Sequence, residues 1–349
     1  MTQNNTPPAQ NSTATDFIEK LRKALSSDGD FPASARVVSE LREIISKPES
    51  TPNQVAEIIL REPSLGTRIL SMVNSSFYRR AKPIMTVSQA VVQIGMRPLA
   101  ELCSGLILLQ KFIPAARSGG PFAKCLKKSI TTSLLTSSIC QQIKSAVKES
   151  TSASSVGIAK DESGYLTGMF AEIGTLLLAY YFPKLYESAE KRSLSKKQPI
   201  SKSIAELVGL TPTDISRAVL SELKLPDIYR EILSKSMQIE ESPPSKAPLS
   251  ADPNDILTLG LYCGTTLSTA INEDGSKEGL EAALSKIGNR LPSEDILLSE
   301  VLGSLVDTYR DHCASLELNL PELPQELRQI KEALLADSGQ AQPETHSLS

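Results

Sequence analysis

Imidazole, thiol and carboxylate side chains make and break most bonds in proteins, and this chain is short of the first. Its 349 residues hold two histidines, His312 and His346. Metal hydrolases and most Ser–His or Cys–His mechanisms draw on imidazole, so a large part of the catalytic repertoire has little to work with. His312 directly follows Asp311, and adjacent residues on a helix do not face each other. A surface or partly buried structural histidine is expected there, and His346 falls in a polar tail. The five cysteines, Cys103, Cys125, Cys140, Cys263 and Cys313, are odd in number, lie in apolar helical stretches and form no CxxC. They read as reduced, mostly buried thiols of a cytosolic protein, and no zinc site is expected. GxxxxGK, GxGxxG after a strand, GxSxG and HExxH are all missing, which leaves phosphate-loop, dinucleotide, esterase and zincin chemistry unsupported.

The elements that must position any site are helices. Apolar residues make up 40% and charged residues 22%, with a net charge of -3. That is an ordinary globular balance rather than the footprint of an avid nucleic-acid binder. Val37, Val38, Leu41, Ile44 and Ile45 recur at helical spacing. Thr51-Pro52-Asn53-Gln54 and Thr86-Val87-Ser88-Gln89 read as capped starts, Ser64 as a further cap, and Gly95 as a left-handed stop. Later helices are predicted over 121–147, 163–181, 183–193, 211–223, 226–237, 255–271, 277–287, 293–316 and 321–336. Strand signals are lacking, so the fold class is all-α, a multi-helix bundle. Residues 1–15 and 337–349 read as disordered tails, and 148–162 and 240–253 as Ser- or Pro-rich loops. No apolar run approaches the ~20 residues of a membrane span, and no secretory signal is visible, so a cytoplasmic protein without membrane insertion is expected.

Two segments, 51–74 and 211–233, have a helix–turn–helix outline. A recognition helix needs several long polar side chains at its start. The second helix of the first pair offers only Arg68 there, and the basic cluster that follows, Arg79, Arg80 and Lys82, is short. Packing of bundle helices accounts for the outline, so nucleic acid is not the expected partner.

Several ordered phrases resemble the HDOD domain, the HD-related output domain of bacterial signalling proteins. Phe31-Pro32 opens the stretch. Glu62-Pro63-Ser64-Leu65, Ile69-Leu70 and Val73-Asn74-Ser75-Ser76-Phe77 match a family phrase apart from Glu for Asp, and Ile84, Ala90-Val91 and Ile94-Gly95 match the next. Tyr165–Gly174 (YLTGMFAEIG), Phe182-Pro183 with Tyr186, and Leu225-Pro226 follow in order. The resemblance implies a fold related to the HD domain over about 16–237, completed by a helical extension packed on it over 238–336.

The resemblance also implies where an HD phosphohydrolase would keep metal ligands, and this chain departs at each place. The His-Asp pair position reads Ala171-Glu172, the earlier histidine position Lys128 before Ser129, and the later pair Ser236-Met237. The late Asp position falls within 256–271, which holds no Asp, Glu or His. An ammonium, a methyl and a hydroxyl cannot replace imidazoles around a divalent ion. No metal, cofactor or catalytic residue is therefore expected, and Lys128 and Glu172 should form an ion pair or face solvent at the relic of the pocket. Asn74 is expected to cap backbone groups and fix a turn rather than bind a ligand.

The expected function is a non-catalytic signal-transduction module that binds a protein partner in a bacterial pathway. A nucleotide messenger is the alternative ligand. A degenerate phosphohydrolase or nucleotide binder would use Lys127, Lys128, Arg79 and Arg80, and a DNA-binding regulator is the third reading. Low-priority contact residues for a partner are Asn74, Arg79, Arg80, Lys82 and Lys127.

Overall fold

A computed structural model describes residues 8–328 apart from 28–29, 62, 75–82, 118, 152–161, 224, 248–249 and 293–295. No strand occurs among the described residues, in keeping with the all-α expectation. The first helices are α1 (Pro8–Ser27), α2 (Asp30–Ser46), α3 (Pro52–Leu60), α4 (Pro63–Val73), α5 (Val87–Ile94) and α6 (Met96–Arg117). The central pair is α7 (Gly120–Thr151) and α8 (Glu162–Tyr181). Then come α9 (Pro183–Lys196), α10 (Ile200–Val208), α11 (Pro212–Glu222), α12 (Asp227–Glu241) and α13 (Pro253–Thr269). A π-helical turn, Ala270–Asp274, prolongs α13 before α14 (Lys277–Gly288), α15 (Leu298–Ser315) and a 3-10 turn at Gln325–Arg328.

Local chemistry accounts for the helix starts. Thr51 with Gln54, and Thr86 with Gln89, form reciprocal capping boxes, each satisfying two orphan donors. Thr211 does the same with Asp214. Gly95 stops α5 at φ 102 and ψ 151, a positive φ outside the left-handed helical region expected from sequence. Helix α4 begins at Pro63, so Ser64 lies in its first turn instead of capping it. Two further expectations are corrected. Residues 8–15, read as tail, belong to α1, whose Phe17, Leu21 and Leu25 are buried one turn apart. The helix expected over 321–336 is absent from its described part. There Tyr309 and Lys127 take the carbonyls of Pro321 and Glu322 at 3.1 and 2.9 Å, leaving an extended strap before the 3-10 turn. The loop read at 148–162 falls largely outside the described residues, as does the tail at 337–349.

The centre of the molecule is a close-packed trio, α7 between α8 and α13. Small residues let the backbones approach. A Cβ on Gly168 of α8 would lie 2.7 Å from the Ser133 Cα of α7, and one on Gly264 of α13 would lie 2.3 Å from Thr136 Oγ1. Ser129, Thr132, Ser133, Thr136 and Ser137 line this seam of α7, all buried. Around the trio, α2–α6 stand on one side and α11–α12 on another. Helix α15 covers α7, and its His312 is fully buried with Nε2 2.7 Å from the Tyr165 hydroxyl. The surface or partly buried setting expected for His312 is thereby corrected: Tyr165 supplies the partner that lets an imidazole enter the core.

Candidate functional site

Where α7, α8 and α13 meet, the seam ends in charge. Lys128 Nζ stands 3.3 Å from Glu172 Oε1 and 2.8 Å from Glu273 Oε1. Each group comes from a different member of the trio: Lys128 from α7, Glu172 from α8 and Glu273 from the π turn after α13. Glu172 is 6% exposed, a carboxylate taken almost wholly out of water. Hydroxyls and an amide complete the cluster. The Thr132 hydroxyl lies 3.3 Å from Glu172 Oε1 and 2.8 Å from Ser268 Oγ, with one proton for either. Ser268 donates to the Lys128 carbonyl at 3.3 Å, and Asn272 donates to the Ser268 carbonyl at 2.9 Å.

Burial works against the Lys128 charge, yet the two carboxylates outweigh it and hold its pKa above the ordinary lysine value, the expected sign for a cation between opposite charges. Lys128 is thus a fixed cation at neutral pH. One turn earlier on α7, burial pushes the Cys125 thiol up to about 12, so it stays protonated and unreactive. All five cysteines are free and buried, as their apolar settings predicted.

The π turn explains why Glu273 escapes the sequence reading. The acidic position was sought within 256–271, and the widened turn carries a carboxylate just beyond it. Its ring closes with the Gly275 amide donating to the Ala270 carbonyl at 2.8 Å. Gly275 takes φ 69, a conformation open to glycine at no steric cost. A run ending in Asn-Glu-Asp-Gly, with Gly as the helix stop, is the signal that could have drawn attention to it.

The other expected positions are distributed differently. Ala171 contributes its carbonyl, which accepts from Ser216 at 2.9 Å, while the Gly174 amide donates to the same hydroxyl. Ser236 is on α12, where its hydroxyl donates to the Leu233 carbonyl at 3.0 Å. Lys127 points away and donates to the strap carbonyl at Glu322. Asn74 does what its cap-like position predicted: it donates to the carbonyls of Leu70 and Ile84 and accepts from the Ile84 amide, at 2.7 to 2.8 Å. Arg79, Arg80 and Lys82 lie outside the described residues. Arg68, the long donor of the helix–turn–helix outline, is spent on the carbonyl of Leu316 at 2.8 Å.

A divalent ion requires lone pairs converging from several donors. Here two carboxylates converge, but a permanent ammonium stands between them, and it has no lone pair to lend. Among the described residues no three His, Cys, Asp or Glu side chains gather into a metal-holding group. The residues of this junction do not fit the metal that an HD hydrolase would carry.

Comparison with known proteins places the fold. A Shewanella amazonensis protein with the provisional name metal-dependent phosphohydrolase superposes with a TM-score of 0.53 at 20% identity, covering 87% of this chain and 99% of that one. An HDOD domain protein from Geobacter sulfurreducens gives 0.51 at 16% identity, over 81% and 91%. A signal transduction protein, again provisionally named, from Marinobacter aquaeolei gives 0.52 at 18%, over 81% of this chain and 59% of that one. These likenesses establish the fold. No protein of curated function matches the sequence. The HDOD domain itself matches residues 31–239, more than half of the chain and every phrase on which the resemblance rested, so the chain belongs to the HDOD family.

Proposed function

We propose that this protein is a non-catalytic signal-transduction module, acting through contact with a protein partner in a bacterial cytoplasm. The observation that carries this reading is the Lys128 ammonium held between Glu172 and Glu273 at the meeting point of three helices. A phosphohydrolase of the HD type uses an exchangeable cation to polarise phosphate and activate water. Here the positive charge is covalent and paired with two carboxylates, and the neighbouring Cys125 thiol is held protonated by burial. What is left is a packed helical scaffold, and the signal-transduction name of a structural relative agrees with such a role. No helix among the described residues is long and apolar enough to cross a membrane.

The test is hydrolysis of bis-nitrophenyl phosphate by the purified chain, with magnesium, manganese, iron or zinc added in turn. Turnover no higher than that of a Lys128→Met variant is expected. Metal-dependent turnover that this substitution abolishes would overturn the reading.

The second reading, a degenerate phosphohydrolase that still holds a nucleotide, draws on the phosphohydrolase names of two structural relatives. A nucleotide at 100 times its dissociation constant would stabilise the fold by about 2.7 kcal/mol, so a thermal-shift panel separates the two. A DNA-binding role has less support, since Arg68 is committed to the Leu316 carbonyl.

A further inference from the structure

The opposite face of α8 borders a cavity. Phe170 and Glu172 are two residues apart, about 200° around a helix of about 3.6 residues per turn. Glu172 therefore faces the Lys128 cluster, while Phe170 faces a cavity of about 520 Å³ between α2, α6, α8 and the start of α12. That volume lies within the range of small-molecule sites, roughly 300–1,000 Å³.

The lining divides by chemistry. Ile45, Ala100, Leu225 and Pro226 give apolar walls, with the buried rings of Phe170 and Tyr229 behind them, packed edge to face at 4.9 Å. Two guanidiniums, Arg42 and Arg97, stand at the exposed edge, and the one carboxylate among the described lining residues is Glu101. Glu101 already accepts from the Tyr229 hydroxyl at 3.0 Å, and burial raises its pKa, which further weakens it as a counter-ion. Its approach to Arg97 is 3.8 Å, an ion pair too long for a hydrogen bond. The two arginines thus outnumber the one carboxylate and keep donors for another anion.

We propose that this cavity binds a small organic anion, its apolar body between Ile45, Leu225 and Pro226 and its carboxylate, sulfonate or phosphate group between Arg42 and Arg97. A hydroxyl or N–H on the body would meet the remaining acceptor capacity of Glu101. Such a ligand touches α2, α6 and α12 at once, helices from both sides of the central trio. Its binding would therefore couple the two outer walls of the domain and offer a contact module a chemical input. The site is independent of whether the Lys128 cluster turns over phosphoesters, so failure of one reading leaves the other standing.

Anilinonaphthalene sulfonate is the probe: an aromatic body, one N–H and one sulfonate, fluorescent when desolvated. The full chain should bind it at a single site with saturable enhancement. The double variant Arg42→Gln/Arg97→Gln should bind about tenfold more weakly, whereas Arg42→Lys/Arg97→Lys should retain most of the affinity. Phenylnaphthylamine, the same body without the sulfonate, should bind equally weakly to all three proteins. Both arginines are exposed, so thermal melts of the variants should coincide with that of the parent, and that check guards against dye uptake by unfolded chain. Decanoate and adenosine monophosphate, offered as competitors, distinguish a carboxylate from a phosphate ligand by which of them displaces the dye. No saturable binding, binding indifferent to the two arginines, or displacement by neither competitor would overturn the proposal.

Discussion

The two faces of α8 carry similar ingredients and use them in opposite ways. On the Glu172 side, the Lys128 ammonium stands within 3.3 Å of both the Glu172 and the Glu273 carboxylates, at the junction of three helices. On the Phe170 side, Arg97 and Glu101 stay 3.8 Å apart, Arg42 stands with them at the edge, and space is left between the helices. The difference lies in depth and reach. A buried charge is costly unless it is paired, and Glu172 is paired with Lys128. Arginines at the rim remain hydrated and need no internal partner, and are left available. A closed charge cluster stabilises a scaffold, whereas an open one can answer to what is dissolved around it.

Breaking the closed face should cost most. Lys128→Met strands two carboxylates at the helix junction and is expected to lower unfolding free energy by about 3 kcal/mol at neutral pH, measured by urea denaturation. A loss below about 1 kcal/mol would make the pair no better than a surface contact. The same pair sets a pH window. The folded-state pKa of Lys128 is raised above its ordinary 10.5, so its contribution is complete below that value and fades as pH rises through the folded pKa. The parent should therefore lose stability above about pH 10.5 more steeply than Lys128→Met does.

A control away from both faces comes next. Asn74→Ala removes the side-chain hydrogen bonds that join the end of α4 to Ile84. By the same denaturation assay the loss should be about 2 kcal/mol, the scale of stranding buried backbone partners, without any change in dye binding. The open face should be the least sensitive. Arg42→Gln and Arg97→Gln should each change stability by no more than about 0.5 kcal/mol, because neither charge is buried. A larger loss would mean that the cavity rim is structural, and the contrast between the faces would disappear.

The fold was legible where local chemistry sets it. The Thr51 and Thr86 capping boxes, the prolines that open helices and the apolar stripe of α2 all announce themselves within a few residues. The ion pair of Lys128 with Glu172 was legible through family phrases, since both stand where ligands are expected. Glu273 was not, because it stands in a π turn that follows α13, and regular helical spacing does not anticipate that widening. His312 looked peripheral because its partner Tyr165 is 147 positions away in sequence. The stretch 321–324 was read as the start of a helix because the donors that hold its carbonyls, Lys127 and Tyr309, come from elsewhere in the fold. The cavity beside Phe170 has no sequence signature at all, since it is the gap left by the packing of four separate helices.

If a covalent ammonium takes the place of an exchangeable cation, the Lys128 junction binds no divalent ion. Manganese is the direct probe, because it accepts carboxylate and hydroxyl oxygen ligands and its free ion gives a paramagnetic resonance signal that disappears on binding. Titrating the full chain with manganese at neutral pH should leave the free-ion signal equal to that of buffer. One ion bound per chain, released by Glu172→Gln together with Glu273→Gln, would contradict the account.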